Sequence, residues 1–175
     1  MLVQSFAPTC IETIEGGDKP RVLILGTMPG KISLAQQQYY AHPQNAFWRI
    51  IGDLLHIDAK ADYATRIKLV AEKDIALWDV LKFCARESSL DTDIKRDSEV
   101  PNDIVQFLKT HRTIQRVCFN GAKAARLYRR HILPQIPENF RAIEYSPLPS
   151  TSPAHAGMRY AEKLDAWKII LPPSP

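Results

Sequence analysis

The feature that most constrains the fold is a short apolar run near the N-terminus, Val22-Leu-Ile-Leu25, which stops at Gly26. Consecutive branched aliphatic residues are typical of a strand buried on both faces, as in a parallel sheet covered by helices. Pro29 and Gly30 then predict a loop. Ligands bind beyond the C-terminal ends of strands in such sheets, so this loop predicts a site. An ordinary connection between a strand and a helix is the alternative.

Alternation of strand and helix patterns predicts an α/β fold. Further apolar runs predict strands over residues 75–80, 116–120 and 141–145, and helical spacing predicts helices over residues 45–56, 63–71, 101–110, 122–131 and 158–170. This order predicts three layers, α/β/α, around a central four-stranded, mainly parallel sheet. A length of 175 residues predicts a single domain, residues 1–175, with a partly irregular lead-in over residues 1–19. Residues 82–101 are polar and aperiodic and predict a long loop.

Composition argues against several classes of protein. No apolar segment is long enough to span a membrane and no export signal is recognisable at the N-terminus, so a cytoplasmic location is expected. Cys10, Cys84 and Cys118 lack paired spacing, which argues against disulfides and zinc and predicts reduced, half-buried residues. Acidic residues are absent between Asp103 and Glu138, where Lys and Arg accumulate. This stretch predicts a cationic surface, which either tracks phosphates or is only a solvated helix face.

Common catalytic and nucleotide-binding motifs are missing. The Gly26 loop is neither a Gly-x-Gly-x-x-Gly fingerprint nor a Walker sequence, which weakens a Rossmann-like nucleotide-binding interpretation. Ser150, Ser152 and His155 would form a hydrolase triad only on one Pro-rich loop without a nucleophile elbow. His42 and His155 have no suitably spaced partners for a metal. We therefore expect no metal site and no organic cofactor.

Two segments together resemble the motifs of the uracil-DNA glycosylase superfamily. Gly26-Thr-Met-Pro-Gly30 and Tyr39-Tyr-Ala-His-Pro-Gln-Asn-Ala-Phe-Trp48 resemble the first motif region of its mismatch-specific branch. Leu148-Pro-Ser-Thr-Ser-Pro153 resembles the second motif, which inserts into the duplex. Leu77-Trp-Asp-Val-Leu81 and Ser89-Leu-Asp91 fit the hypoxanthine-DNA glycosylase branch. These resemblances run in the same order along the chain as in the family.

One departure from the family pattern bears on the substrate. Met28 stands where the mismatch-specific enzymes carry a catalytic Asn, and Leu148 stands where many uracil enzymes have His. The hypoxanthine branch relies instead on a later Asn, which corresponds to Asn45. The resemblance therefore implies a monofunctional DNA glycosylase that hydrolyses the N-glycosidic bond of a deaminated base, with deoxyinosine ahead of deoxyuridine. A uracil- or mismatch-specific enzyme of the same fold and a non-catalytic DNA-binding module are the alternatives.

The resemblance and the chemistry of base excision together predict the site residues. Asn45 and Asp79 are the predicted catalytic residues, although Asn45 can also be a helix cap and Asp79 a strand-end cap. The predicted base-binding residues are Gly26, Thr27, Met28, Pro29, Tyr40, His42 and Phe47, with Tyr40 as a stacking platform and His42 alternatively bracing its loop. The predicted DNA-binding residues are Asn120, Gly121, Lys123, Pro149, Ser150, Thr151 and Ser152. The expected partner is double- or single-stranded DNA with a deaminated base, bound by a monomer.

Overall fold

The computed structural model describes residues 1–9, 20–140 and 142–171. Its strands are β1 (Leu2–Gln4), β2 (Val22–Gly26), β3 (Ile75–Asp79), β4 (Leu81–Ala85), β5 (Val100–Pro101), β6 (Arg116–Asn120) and β7 (Glu144–Leu148). Its helices are α1 (Lys31–Gln36), α2 (Phe47–Leu55), α3 (Tyr63–Ala71), α4 (Ile104–Thr110), α5 (Ala122–His131) and α6 (Tyr160–Trp167). Cys10, most of the predicted lead-in and Arg141 lie outside the described residues.

The central sheet has the strand order β3-β2-β6-β7, and every neighbouring pair is parallel. Side chains of β2 alternate between two cores. Leu23 and Leu25 pack in one core with residues of α4 and α5, and Ile24 packs in the other with residues of α2, α3 and α6. Helices therefore cover both faces of the sheet, which explains why the β2 run is apolar throughout. The predicted three-layer α/β/α fold is confirmed.

Residues 82–101 are not the long loop that their polarity predicted. They contain all but the first residue of β4 and the whole of β5, which pair antiparallel and join β1 in a second sheet of order β1-β4-β5. The Asn102 side-chain amide donates to the backbone oxygens of Asp79 and Leu81 and fixes this sheet beside β3. The strands are short and pair with residues distant in the sequence, so the local pattern of apolar residues does not indicate them.

Two predicted element boundaries also differ from the structure. Helix α4 begins at Ile104 because the Asp103 carboxylate caps it by accepting from the Gln106 backbone N–H, and Pro101 instead pairs in β5. Strand β7 lies at Glu144–Leu148 rather than over residues 141–145. It contains Pro147, which an edge strand of the sheet tolerates. Helix α1 had not been predicted.

Two observations concern expectations from composition. Cys84 and Cys118 are free thiols and completely buried rather than half-buried. Among the described residues, no helix has the length and apolarity that crossing a membrane requires.

Parallel pairing brings the ends of the central strands to one edge. Gly26 at the end of β2 is paired with Asp79 at the end of β3, and Asn120 at the end of β6 is paired with Leu148 of β7. The segments that follow these residues must therefore meet beyond this edge, where ligands bind in sheets of this kind.

Candidate active site

A cavity of about 680 Å³ lies at the C-terminal edge of the central sheet. The predicted site residues that line it are Gly26, Thr27, Met28, Pro29, Tyr40, His42, Asn45, Asp79, Asn120, Ser150, Thr151 and Ser152. Phe47, Gly121, Lys123 and Pro149 do not line it. The fold thus brings both predicted catalytic side chains to one cavity of a size that ligand sites commonly have.

The Asn45 side chain lines the cavity, and its amide oxygen forms a hydrogen bond at the start of α2. Its Oδ1 accepts a hydrogen bond from the Phe47 backbone N–H at 2.9 Å, at the start of α2. The N-cap position of α2 is Ala46, so this hydrogen bond closes a turn that leads into the helix from the residue before the cap. Because an N–H donor requires an oxygen acceptor, the orientation of the amide is defined, and the Nδ2 group is what Asn45 can offer to a ligand.

Asp79 is a buried carboxyl at the end of β3, with 3% of its surface exposed. Its Oδ2 accepts a hydrogen bond from the Ser5 hydroxyl at 2.7 Å. Burial raises the pKa of Asp79 to about 7, an effect that the Ser5 hydrogen bond and the Arg86 charge oppose and the Asp91 charge reinforces. A carboxyl that is half ionised near neutral pH is suited to accept a proton from water.

Tyr40 and Phe47 form a stacked pair beside the cavity. Their ring centroids are 3.8 Å apart with 21° between the ring planes. Phe47 is fully buried, so it supports the ring of Tyr40 from behind rather than contacting a ligand. Tyr40 has a backbone φ of 56°, a left-handed conformation that is unfavourable for a tyrosine and that the packing around it must maintain.

His42 has one ring nitrogen engaged within its own loop. Its Nδ1 accepts a hydrogen bond from the Gln44 backbone N–H at 3.1 Å. In the neutral imidazole the proton must then be on Nε2, so the remaining nitrogen is a donor. His42 therefore braces its loop and also lines the cavity with a group that can donate to a ligand.

Residues 149–152 are held in place by side chains of β6 and α6. The Asn120 amide donates to the Thr151 hydroxyl at 2.8 Å and accepts from the Thr151 backbone N–H at 2.9 Å. The Trp167 indole donates to the Pro149 carbonyl at 3.0 Å. Thr151 is almost fully buried, so Ser150 and Ser152 are the hydroxyls of this segment that remain partly accessible.

Gly121 and Lys123 lie outside the cavity and contact the segments that form its walls. Gly121 has a φ of +100°, and a Cβ added there would lie 3.1 Å from the Ser150 Cβ, so this turn packs directly against residues 149–152. The Lys123 amine lies 3.7 Å from the buried carboxylate of Glu99, which also pairs with Arg130 and His131. This ion cluster ties α5 to the end of the 82–101 segment.

Comparison with known proteins identifies the family. A family model described as the uracil DNA glycosylase superfamily matches residues 14–171. The chain belongs to this superfamily. A relative from Methanosarcina barkeri, named hypoxanthine DNA glycosylase, is 37% identical over 125 residues, which cover 71% of this chain and 74% of the relative. A second relative with that name, from Methanosarcina acetivorans, is 36% identical over 108 residues, covering 61% and 67% respectively.

A solved structure agrees with this family assignment. The chain superimposes with a TM-score of 0.75 on the solution NMR structure of a protein from Methanosarcina acetivorans described as a candidate uracil DNA glycosylase. The two are 28% identical, and the match covers 97% of this chain and 99% of the other. The resemblance of the sequence motifs to this superfamily is thus confirmed.

One wall of the cavity contains no predicted site residue. Residues 89–92 line it, although only their resemblance to the hypoxanthine branch had been noted and none had been predicted as a site residue. The Ser89 hydroxyl accepts a hydrogen bond from the Lys31 backbone N–H at 2.9 Å, which joins this wall to the start of α1. Residues 89–92 are mostly polar and lie in an aperiodic segment, so apart from the family resemblance the sequence did not indicate that they line the cavity.

Two further observations concern the surroundings of the cavity. Arg86 is almost fully buried and donates from Nη2 to the Pro29 carbonyl, so it supports the loop over residues 26–30 from below. In the part of the chain that the structure describes, no group of three or more His, Cys, Asp or Glu side chains is arranged to hold a metal ion.

Replacing Gly26 with Ala is expected to disrupt the candidate active site. A Cβ at this position would lie 2.5 Å from the Asp79 Oδ1 and 3.3 Å from the Tyr40 hydroxyl. We expect roughly 1–3 kcal/mol of destabilisation, as for overpacking in general, and at least a tenfold lower excision rate because Asp79 must move. Gly157→Ala is the matched control, since nothing lies within 4 Å of its added Cβ. Equal rates and melting temperatures in the two variants would contradict the prediction.

Proposed function

We propose that this protein is a DNA repair glycosylase that hydrolyses the N-glycosidic bond of deoxyinosine and releases hypoxanthine. The observation that carries the proposal is the presence of the Asn45 amide and the buried Asp79 carboxyl in one cavity beyond the sheet. The two relatives named hypoxanthine DNA glycosylase support the choice of base.

The reaction requires an extrahelical nucleotide, because the glycosidic bond cannot be reached inside the base stack. The flipped base enters the cavity and stacks on Tyr40, whose ring is backed by Phe47. Residues 149–152 occupy the space that the base has left, and Ser150 and Ser152 donate to flanking phosphates. Asn120 holds this segment and Gly121 packs against Ser150, whereas Lys123, which pairs with Glu99, adds a positive charge that attracts phosphate nearby.

The chemistry is a hydrolysis with an oxocarbenium-like sugar. The ionised Asp79 carboxylate accepts a proton from a water molecule as its oxygen bonds to C1′. The bond between C1′ and N9 breaks, and its electron pair leaves with the base. The Asn45 Nδ2, the His42 Nε2 and the backbone N–H groups of Thr27 and Met28 donate to the negative charge that develops there. The proton taken from water returns to the released base.

The same proposal covers the setting in which the enzyme works. We propose that it acts as a single-domain monomer on DNA in the cytoplasm, on duplex or single-stranded substrates that contain a deaminated base. The cationic residues of α5 add a favourable interaction with the phosphate backbone that weakens as salt increases.

Cleavage of defined oligonucleotides tests the proposal. A labelled duplex with one deoxyinosine and a matched duplex with one deoxyuridine are incubated with the protein, and abasic sites are cleaved with hot alkali. We expect strand cleavage at deoxyinosine and at least tenfold slower cleavage at deoxyuridine. Faster cleavage at deoxyuridine would favour a uracil-specific enzyme. Retained DNA binding without cleavage at either base would favour a non-catalytic DNA-binding module.

A further inference from the structure

Asp91 is a carboxyl in the cavity wall that the mechanism above does not use. Its side chain is half-buried, and burial raises its pKa. The Thr27 hydroxyl and the charges of Arg86, Lys123 and Arg126 act in the opposite direction and favour the ionised form. A carboxylate is a pure acceptor of hydrogen bonds, and Asp91 lines the space that a ligand would fill.

The backbone around Asp91 is held on several sides. Ser89 is bonded to the start of α1, and the Asp93 backbone N–H donates to the Leu90 carbonyl at 3.1 Å. Ile94, three residues after Asp91, is buried in the main core. The carboxyl is therefore placed on a structured wall and not on a free loop, as recognition of a base edge requires.

Two of the other polar side chains on the cavity present a donor to it. Asn45 has its oxygen engaged with α2 and His42 has its Nδ1 engaged with Gln44, which leaves an N–H group on each. Asp79 is an acceptor, but it is already bonded to Ser5 and is assigned to the attacking water. Asp91 is thus the carboxylate available to accept a hydrogen bond from the base.

The deaminated base and its parent differ in the polarity of one edge. Hypoxanthine presents an N1–H donor beside the O6 acceptor, whereas adenine presents an N1 acceptor beside an amino donor. Resting on the proposed function, we infer that Asp91 accepts the N1–H of hypoxanthine and is a specificity-determining residue against adenine. Adenine would place its N1 lone pair against the carboxylate, and a site built for a hydrogen bond strongly rejects a partner that cannot make it.

The variant Asp91→Asn tests this inference because it keeps the shape and replaces an acceptor oxygen by a donor. Its matched control is Asp93→Asn, which makes the same change at an exposed position of the same turn, outside the cavity. Two quantities are measured: the single-turnover rate on deoxyinosine, and the affinities for duplexes with 2′-fluorinated, uncleavable deoxyinosine or deoxyadenosine. Asp91→Ser is a second variant that removes the carboxylate, in case Asp91→Asn does not fold.

We expect Asp91→Asn to lower the deoxyinosine rate about 100-fold and the preference for inosine over adenine roughly tenfold or more, with Asp93→Asn unchanged. An unchanged preference overturns the inference even if the rate falls, because Asp91 would then act on the structure or on water. An equal loss of preference in Asp93→Asn also overturns it. Failure of the wild type to cleave deoxyinosine is a separate result that overturns the proposed function itself.

Discussion

Replacing Asn45 with Asp is expected to lower the rate of deoxyinosine excision about 100- to 1,000-fold, the range found when one preorganised donor to a developing negative charge is removed. The new carboxylate can still accept from the Phe47 backbone N–H, because Asp and Asn are similarly good at the start of a helix. It can no longer donate to the leaving base, and it adds a negative charge where one develops. Asn45→Asp should therefore lose activity while keeping a stability close to that of the wild type.

Single-turnover kinetics and thermal unfolding at pH 7 measure the two effects of the Asn45 variants. Asn45→Ala should lose both the donor and the hydrogen bond from the Phe47 backbone N–H, with about 1 kcal/mol of destabilisation. Gln44→Glu is the control, since it adds the same charge one residue away at an exposed position that does not line the cavity. A wild-type rate in Asn45→Asp would show that the amide donor takes no part in excision.

Replacing Asp79 with Asn is expected to lower the excision rate about 100- to 10,000-fold, as loss of a general base usually does. The wild-type rate should rise with pH and level off above about 7, because the carboxylate is the active form and burial raises its pKa to about 7. The residual rate of Asp79→Asn should not show this ionisation. Ser5→Ala removes a hydrogen bond that lowers this pKa, so the midpoint should move to higher pH. A wild-type rate that is independent of pH between 5.5 and 8.5 would contradict this role.

The same substitution is expected to stabilise the protein at alkaline pH. The pKa of Asp79 is higher in the folded state than its ordinary value of 3.8, so the folded state binds the proton more tightly than the unfolded chain. Stability is then lost as the pH rises from about 4 to about 7, by up to about 4 kcal/mol at 1.36 kcal/mol for each pH unit. Asp79→Asn should unfold at a higher temperature than the wild type at pH 8, and the gap should narrow toward pH 4. A lower melting temperature of Asp79→Asn at pH 8 would contradict this.

Local patterns in the sequence were enough to predict the architecture and the edge of the sheet at which the cavity lies. The apolar run of β2 needs no distant information, because a strand covered on both faces must be apolar throughout. Parallel strands separated by helices then oblige Gly26, Asp79 and Asn120 to share one edge. The motifs around Gly26 and Asn45 were sufficient to predict the superfamily, which the comparisons confirm.

The tertiary structure alone decided the chemical state of the site residues. Sequence assigns an amide to Asn45, but only the fold shows that its oxygen is engaged with α2. Burial raises the pKa of Asp79 to about 7, and the hydrogen bond that opposes this shift comes from Ser5, which is 74 residues away in the chain. The segment between β4 and β5 is held in place because both strands form a sheet with the distant β1. In this arrangement Lys123 pairs with Glu99, and Asp91 lines the cavity. Hydrophobic periodicity is a local property, whereas burial and charge pairing depend on contacts between segments far apart in the chain.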